Sequence, residues 1–317
     1  MSAATPTASR PAAAGDPHFV SPFADEKVNF LRMLKAEWLK LWTLRSTWWT
    51  LTLTVVLMAG LALLFSAVIQ IMINNPGGGF GPENGDAVAA GPDLSSVAVL
   101  VVVIGYQLAQ LTIAILGVLV MSNEYGSGMI RATFSASPRR LRTLWAKLIV
   151  LTVTTVLVAV VGLALAWAVS YPILNNHGLT VDFGDASQVR AILGTVLYLI
   201  MVAWLALGVG TILRHTAGGI SAVIGALMVL PMIFGLIVAV APTVRWVGYI
   251  NRALPSTAGE QLILGDAMVG FGPAGGGGAM ASGGVAMLDP WVGFAVLAIY
   301  AVVALVVGAF VIKRRDA

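Results

Sequence analysis

Six stretches of the chain carry no Asp, Glu, Lys, Arg or His: residues 48–73, 97–121, 148–171, 191–213, 217–240 and 291–312. Each reaches the roughly 20 residues that a helix needs to cross a hydrocarbon core. A single run of this kind also suits a buried helix in a soluble protein, but six in one chain do not. Lipid then dictates the secondary structure, because a backbone amide inside a bilayer must find its partner within its own segment. The sequence predicts an all-α integral membrane protein with six transmembrane helices. Its charge agrees: 10% of residues are charged, against about 25% in a soluble globular domain.

Orientation follows from the cations, since Lys and Arg in short loops stay on the cytoplasmic side. Arg10, Lys27, Arg32, Lys35, Lys40 and Arg45 precede the first span. Arg131, Arg139, Arg140, Arg142 and Lys147 lie between the second and third, Arg214 after the fourth, and Lys313, Arg314 and Arg315 after the sixth. The opposite side holds only Arg190, Arg245 and Arg252, beside acids such as Glu83, Asp86, Asp182, Glu260 and Asp289. Cytoplasmic N- and C-termini are expected, in a multi-pass plasma-membrane protein. The abundance of Ala, Gly and Val points to a bacterial source.

Three parts are expected: a disordered tail over residues 1–27, an amphipathic helix over 28–47 and a six-span domain over 48–317. The tail is rich in Ala, Pro, Thr and Ser and lacks the apolar core of a signal peptide. In "VNFLRMLKAEWLKLWTLRST", helical spacing places Arg32 and Lys40 on one face and Phe30, Leu31, Leu34, Trp38 and Leu41 opposite. Arg32, Lys35, Trp38 and Lys40 would sit at the membrane interface, the cations facing headgroups or a partner. Between spans 5 and 6, "VRWVGYINRALPSTAGEQLILGD" reads as re-entrant or surface helices, followed by the Gly-rich linker 271–284. Pro231 should kink span 5. Gly105 with Ala109 and Ser221 with Gly225 match the small-xxx-small pattern of close helix contact. Gln107 and Gln110 share a helix face, as glue between spans or as part of a pathway.

Catalytic motifs are missing. The chain has no G-x-x-x-x-G-K-[ST] phosphate loop, no H-E-x-x-H and no G-x-S-x-G. It contains no cysteine, and His18, His177 and His215 lie in separate segments, so no metal-ligand spacing is visible. No catalytic, cofactor-binding or metal-binding residue is assigned. Basic residues gather in short clusters between apolar runs, which disfavours nucleic acid as a partner. The spans hold no carboxylate, which argues against a proton-coupled carrier.

The interval "NEYGSGMIRATFSASPRRLRTLWAK", Asn123 to Lys147, has more structure than orientation requires. Glu124 ends a span, "GSG" breaks the helix, "MIRATF" suits a short surface helix, and "SASP" turns the chain into a basic start of span 3. Such a helix, pushed by a cytoplasmic partner, would move both adjoining spans together.

Glu124, the Gly-Ser-Gly, "IRAT", "SPRR" and "WAK" of this loop resemble the corresponding loop of ABC-2 type permeases, the membrane subunits of ABC exporters. The preceding "LKAEWLKLWTLRSTWW", the six-span layout and "LPSTAGEQL" extend the likeness over most of the chain. The resemblance implies that the loop is a coupling helix seated in a separate ATPase, which holds the ATP and Mg while this chain holds no cofactor. Its contacts would come from Glu124, Tyr125, Gly126, Ser127, Gly128, Met129, Ile130, Arg131, Thr133 and Phe134. Arg139, Arg140 and Lys147 would anchor span 3 to headgroups. The resemblance further implies a dimer with a second permease copy or a paralogue, and a substrate route lined by spans 2 and 5. Gln107, Gln110, Met232 and Phe234 become path candidates on that basis, for export of a hydrophobic or amphipathic substrate. An ion-coupled secondary transporter and a non-transporting scaffold or sensor are the alternatives. The N-terminal tail and the Gly-rich stretch 271–284 depart from the family pattern.

Overall fold

Runs without charge have no solvated alternative to helix in lipid, and helix is what they form. A computed structural model describes residues 29–74, 94–126, 128–129, 140–241, 243–265 and 285–315. The expected tail 1–27, most of the loop between spans 2 and 3, and the Gly-rich stretch 271–284 lie outside these residues. Among the described residues there is no strand. Six helices among the described residues are long and apolar enough to cross a membrane: Arg45–Asn74, Ser96–Gly126, Leu141–Asn175, Ala186–Leu213, Thr216–Val240 and Pro290–Arg314.

In chain order, α1 (Phe30–Thr43) precedes α2 (Arg45–Asn74), which is span 1. Span 2 is split into α3 (Leu94–Val103) and α4 (Tyr106–Gly126). Span 3 is α5 (Arg140–Asn175) and span 4 is α6 (Ala186–Leu213). Span 5 comprises α7 (Thr216–Ile224), a wide turn over Gly225–Val229 and α8 (Leu230–Val240). Two short helices, α9 (Arg245–Ala253) and α10 (Pro255–Leu264), come before span 6, α11 (Pro290–Arg315). The amphipathic helix is shorter than the expected 28–47. Leu44, in an extended conformation with ψ 121, ends it, and Arg45 to Thr47 already belong to span 1.

Span 4 is the hub, packing against spans 2, 3, 5 and 6 and against α10. Small residues make this possible, since association in lipid depends on close backbone approach. A Cβ on Gly208 would lie 2.6 Å from the backbone carbon of Ala304 in span 6, and one on Gly117 2.7 Å from the Ala206 Cβ. Span 2 breaks at Ile104 and Gly105, where a Cβ on Gly105 would sit 2.5 Å from the Met58 Cα of span 1. There the helical ladder slips to shorter bonds, Gln107 N–H to Ile104 O at 3.2 Å and Leu108 N–H to Gly105 O at 3.3 Å. The close contact expected at Gly105 is present. The one expected at Gly225 is not, because nothing lies within 4 Å of its would-be Cβ.

In span 5, Pro231 has no N–H to give and follows the wide turn, in which Leu230 N–H reaches back five residues to Gly225 O. The turn absorbs the missing bond, so the distortion lies one turn before the proline. Spans 1 and 5 are largely exposed, whereas spans 2 and 4 are largely buried.

Gly208→Val should force spans 4 and 6 apart and cost about 1–3 kcal/mol. Gly60→Ala, where a Cβ meets nothing within 4 Å, should leave the melting temperature of the detergent-solubilised protein unchanged. A thermal melt of both variants checks the pair.

Candidate functional site

The end of the molecule that gathers α1, the close of span 2 and the start of span 3 carries a buried charge cluster. On α1, Leu34, Glu37, Trp38 and Leu41 form one helical stripe turned toward the protein, with Glu37 and Leu41 buried. An acid in an apolar stripe needs a cation opposite it. Lys147 of span 3 supplies it, its Nζ donating to Glu37 Oε2 at 2.7 Å and to Glu124 Oε1 at 2.7 Å. Lys40 also donates to Glu124 Oε1. The four groups join α1, span 2 and span 3 through two carboxylates and two ammoniums. Lys147 is 1% exposed and Glu124 2%.

Two sequence expectations are corrected here. Lys147 does not anchor span 3 to headgroups, because its ammonium is enclosed by carboxylates. Lys40 does not join Arg32 on an outward cationic face: it bends inward, whereas Arg32 and Lys35 are exposed. Trp38 instead packs inward and stacks with Trp42, which meets Trp48 of span 1 edge-on at 4.9 Å. Their indoles form an aromatic belt of the kind found at membrane interfaces.

At the same end, the Arg214 guanidinium lies 4.9 Å over the Tyr125 ring and donates to Val311 O of span 6 at 3.3 Å. Thr216 donates to Ser122 at 3.1 Å. The turn between spans 4 and 5 is thereby tied to the end of span 2. Arg214 takes φ 55, a left-handed conformation uncommon outside glycine, to make this tight turn. Span 2 ends at Gly126, and Gly128 adopts φ +69, as the Gly-Ser-Gly expectation requires. Met129 is exposed. Ser127, Ile130, Arg131, Thr133 and Phe134 lie outside the described residues.

A second polar cluster lies at the start of α4, beside the break within span 2. Tyr198 of span 4 donates to Gln110 Oε1 at 2.5 Å, and Gln110 Nε2 donates to Gln107 Oε1 at 3.2 Å. Gln107 Nε2 donates to the Tyr106 hydroxyl at 2.8 Å and to Glu260 Oε1 of α10 at 3.5 Å. The Tyr106 hydroxyl hydrogen-bonds Glu260 as well. Removal from water pushes the Glu260 carboxyl up to about 7, opposed by hydrogen bonds from Gln107 and Tyr106. Sequence reading found the two glutamines but missed Glu260, Tyr106 and Tyr198. The spans contribute no carboxylate here; the helix between spans 5 and 6 delivers one.

Of the four path candidates, Gln107 and Gln110 meet each other, while Met232 and Phe234 lie apart from them on span 5. Span 2 packs on the α7 half of span 5, where a Cβ on Gly219 would lie 2.7 Å from Val118. Met232, beyond the wide turn, is 71% exposed, and Phe234 is partly exposed. No metal-holding group of His, Cys, Asp or Glu occurs among the described residues. No protein-family model matches the chain, and no curated protein is similar enough to count as a relative.

Lys147→Met should strand Glu37 in a buried site, leaving Glu124 with Lys40 as its one cation, and cost about 3–5 kcal/mol. Adding Glu37→Gln should recover part of that loss, a coupling of about 1 kcal/mol or more in a double-mutant cycle read by thermal melts.

Glu260 gives a signed pH dependence. Its folded carboxyl titrates near 7, and an ordinary one near 4.5, so the folded state holds the extra proton between these values. Its contribution to stability is complete below about pH 4.5 and is lost as the pH rises through about 7. The melting temperature should fall across that window in the native chain and flatten in Glu260→Gln.

Proposed function

We propose that this chain is the membrane-embedded permease subunit of an ATP-driven exporter, with the ATPase on a separate subunit. The observation that supports the reading most is the cluster of Glu37, Lys40, Glu124 and Lys147. It bolts an amphipathic helix to both spans that flank the basic loop. A force applied to that loop or to α1 would move spans 2 and 3 as one body, which is how hydrolysis in a partner can shift a membrane protein between two openings. The basic end faces the cytoplasm in this reading, a second permease copy completes the path, and the substrate is hydrophobic or amphipathic. Tyr125, Gly128, Met129 and Arg131 are the residues assigned to the ATPase contact. Glu124 acts behind them, as the residue that holds the contact in place.

One observation favours a second reading. Glu260 beside a broken span, in a network of two amides and two phenols, has the make-up of a proton-coupling site in an ion-driven carrier. The two readings separate cleanly. Affinity purification of the tagged chain from its native membrane in mild detergent should bring down a protein with a phosphate-loop ATPase motif, and Arg131→Glu should release it. A chain that copurifies with no ATPase, and alone in proteoliposomes moves protons with a solute, belongs to the carrier class.

A further inference from the structure

Spans 3 and 6 flank span 4 near the basic end, and between them lies a groove of about 140 Å³. Leu144, Leu148 and Trp204 form its floor, while Trp145, Val302 and Val306 are its exposed rims. Trp204 spends its Nε1–H on Thr152 Oγ1 at 2.8 Å, and every lining residue is apolar or aromatic. The volume is below that of ordinary ligand sites. Residues 141–148 and 302–309 each border the groove over about 10 Å of helix. A long, narrow, apolar furrow of this kind fits an extended hydrocarbon chain better than a compact ligand.

The mouth of the groove selects the headgroup. Span 3 begins and span 6 finishes at the basic end, so Leu141 and Ala309 mark the same end of the groove. The groove stripe of span 6, Val302, Val306 and Ala309, continues one turn on to Lys313. Arg142 stands one turn before Trp145 on the rim of span 3. Both cations are exposed. Glu37 and Glu124, the acids described at this end, are taken up by Lys40 and Lys147, so neither Arg142 nor Lys313 has a carboxylate partner among the described residues. Free cations at the mouth of an apolar groove between spans complement an anion carried on an apolar tail.

We propose that this groove binds an anionic phospholipid of the leaflet at the basic end, with one acyl chain between spans 3 and 6 and the headgroup held by Arg142 and Lys313. The proposal concerns lipid binding and stands apart from both transport readings.

The test places the purified chain in nanodiscs of phosphatidylglycerol mixed equally with phosphatidylcholine, the two matched in their acyl chains. The chain is then released and weighed by native mass spectrometry with its retained lipid. Retention of phosphatidylglycerol over phosphatidylcholine by about tenfold or more is expected from two cations at the headgroup. Arg142→Gln combined with Lys313→Gln should remove most of that preference. Arg32→Gln combined with Lys35→Gln, which removes two exposed cations of α1, should leave it in place. Ala309→Phe, which fills the groove and keeps the charges, should lower phosphatidylglycerol to the level of phosphatidylcholine. Equal retention of the two lipids by the native chain overturns the proposal, and so does an equal loss from the two pairs of substitutions, which would mark a diffuse attraction by the whole basic end. An undiminished preference in a folded Ala309→Phe chain overturns it too. The four substituted cations are exposed, so their variants decide the matter even if Ala309→Phe misfolds.

Discussion

An ammonium group with 1% exposure, at the boundary of an apolar bundle, is the constraint on which the basic end of this molecule depends. Lys147 follows Ala146 and precedes Leu148, both buried, and helical geometry gives its side chain no route to water. Its charge persists only because Glu37 arrives from α1 and Glu124 from span 2. That requirement fixes which face α1 turns inward, how far along span 3 it docks and where span 2 must end. Lys40 follows from the same logic: one lysine between two carboxylates leaves a negative excess, and a second lysine removes it. The arrangement is a weak source of net stability, since desolvation offsets much of the attraction, but breaking one partner is expensive. It specifies one docking of three helices.

The start of α4, within span 2, solves its polar problem differently. Glu260 has amides and phenols as its described polar neighbours, where Glu124 has two ammoniums. Hydrogen bonds from Gln107 and Tyr106 stabilise the charged carboxylate less than a cation does, and loss of water outweighs them. The two ends of α4 therefore meet different acids: its own Glu124, held in an ionic clamp, and Glu260 of α10, poised between protonation states. The break at Ile104 and Gly105 sits at the poised end, whereas the clamped end has continuous helix.

Sequence reading succeeded where the physics is local and failed where it is not. A span is legible because its signal is the absence of charge over about 20 residues, a property of one contiguous segment. The stop at Gly126 is legible because a glycine can take the left-handed turn that Gly128 adopts. Glu37, Glu124 and Lys147 were each in view, but their pairing crosses 110 and 23 residues, and helical periodicity says nothing about which helix lies opposite. A hint existed in α1: with Leu34, Trp38 and Leu41 inward, Glu37 must be inward too. Reading Lys40 by its place on a helical wheel failed because a long lysine stem can leave its own face to reach an acid. Gly208 against Ala304 was equally hidden, since a glycine in a span looks the same whether it meets a neighbour or lipid.

Rigidity and exposure are divided along the chain in a way that bears on both functional readings. Spans 2 and 4 form the buried centre, span 3 is bolted to span 2 through Lys147, and Arg214 ties the turn before span 5 to Tyr125 and to span 6. The part left most exposed is the α8 half of span 5, beyond the wide turn. Any motion driven from the basic end must pass through spans 2 and 3, because those are the spans the clamp grips, and it reaches α10 through Gln107 and Glu260. Any motion driven by protonation of Glu260 travels the same helix in the other direction. Span 2 is thus the element through which either driving force acts, so the question that separates the readings is which of its two polar sites receives the energy.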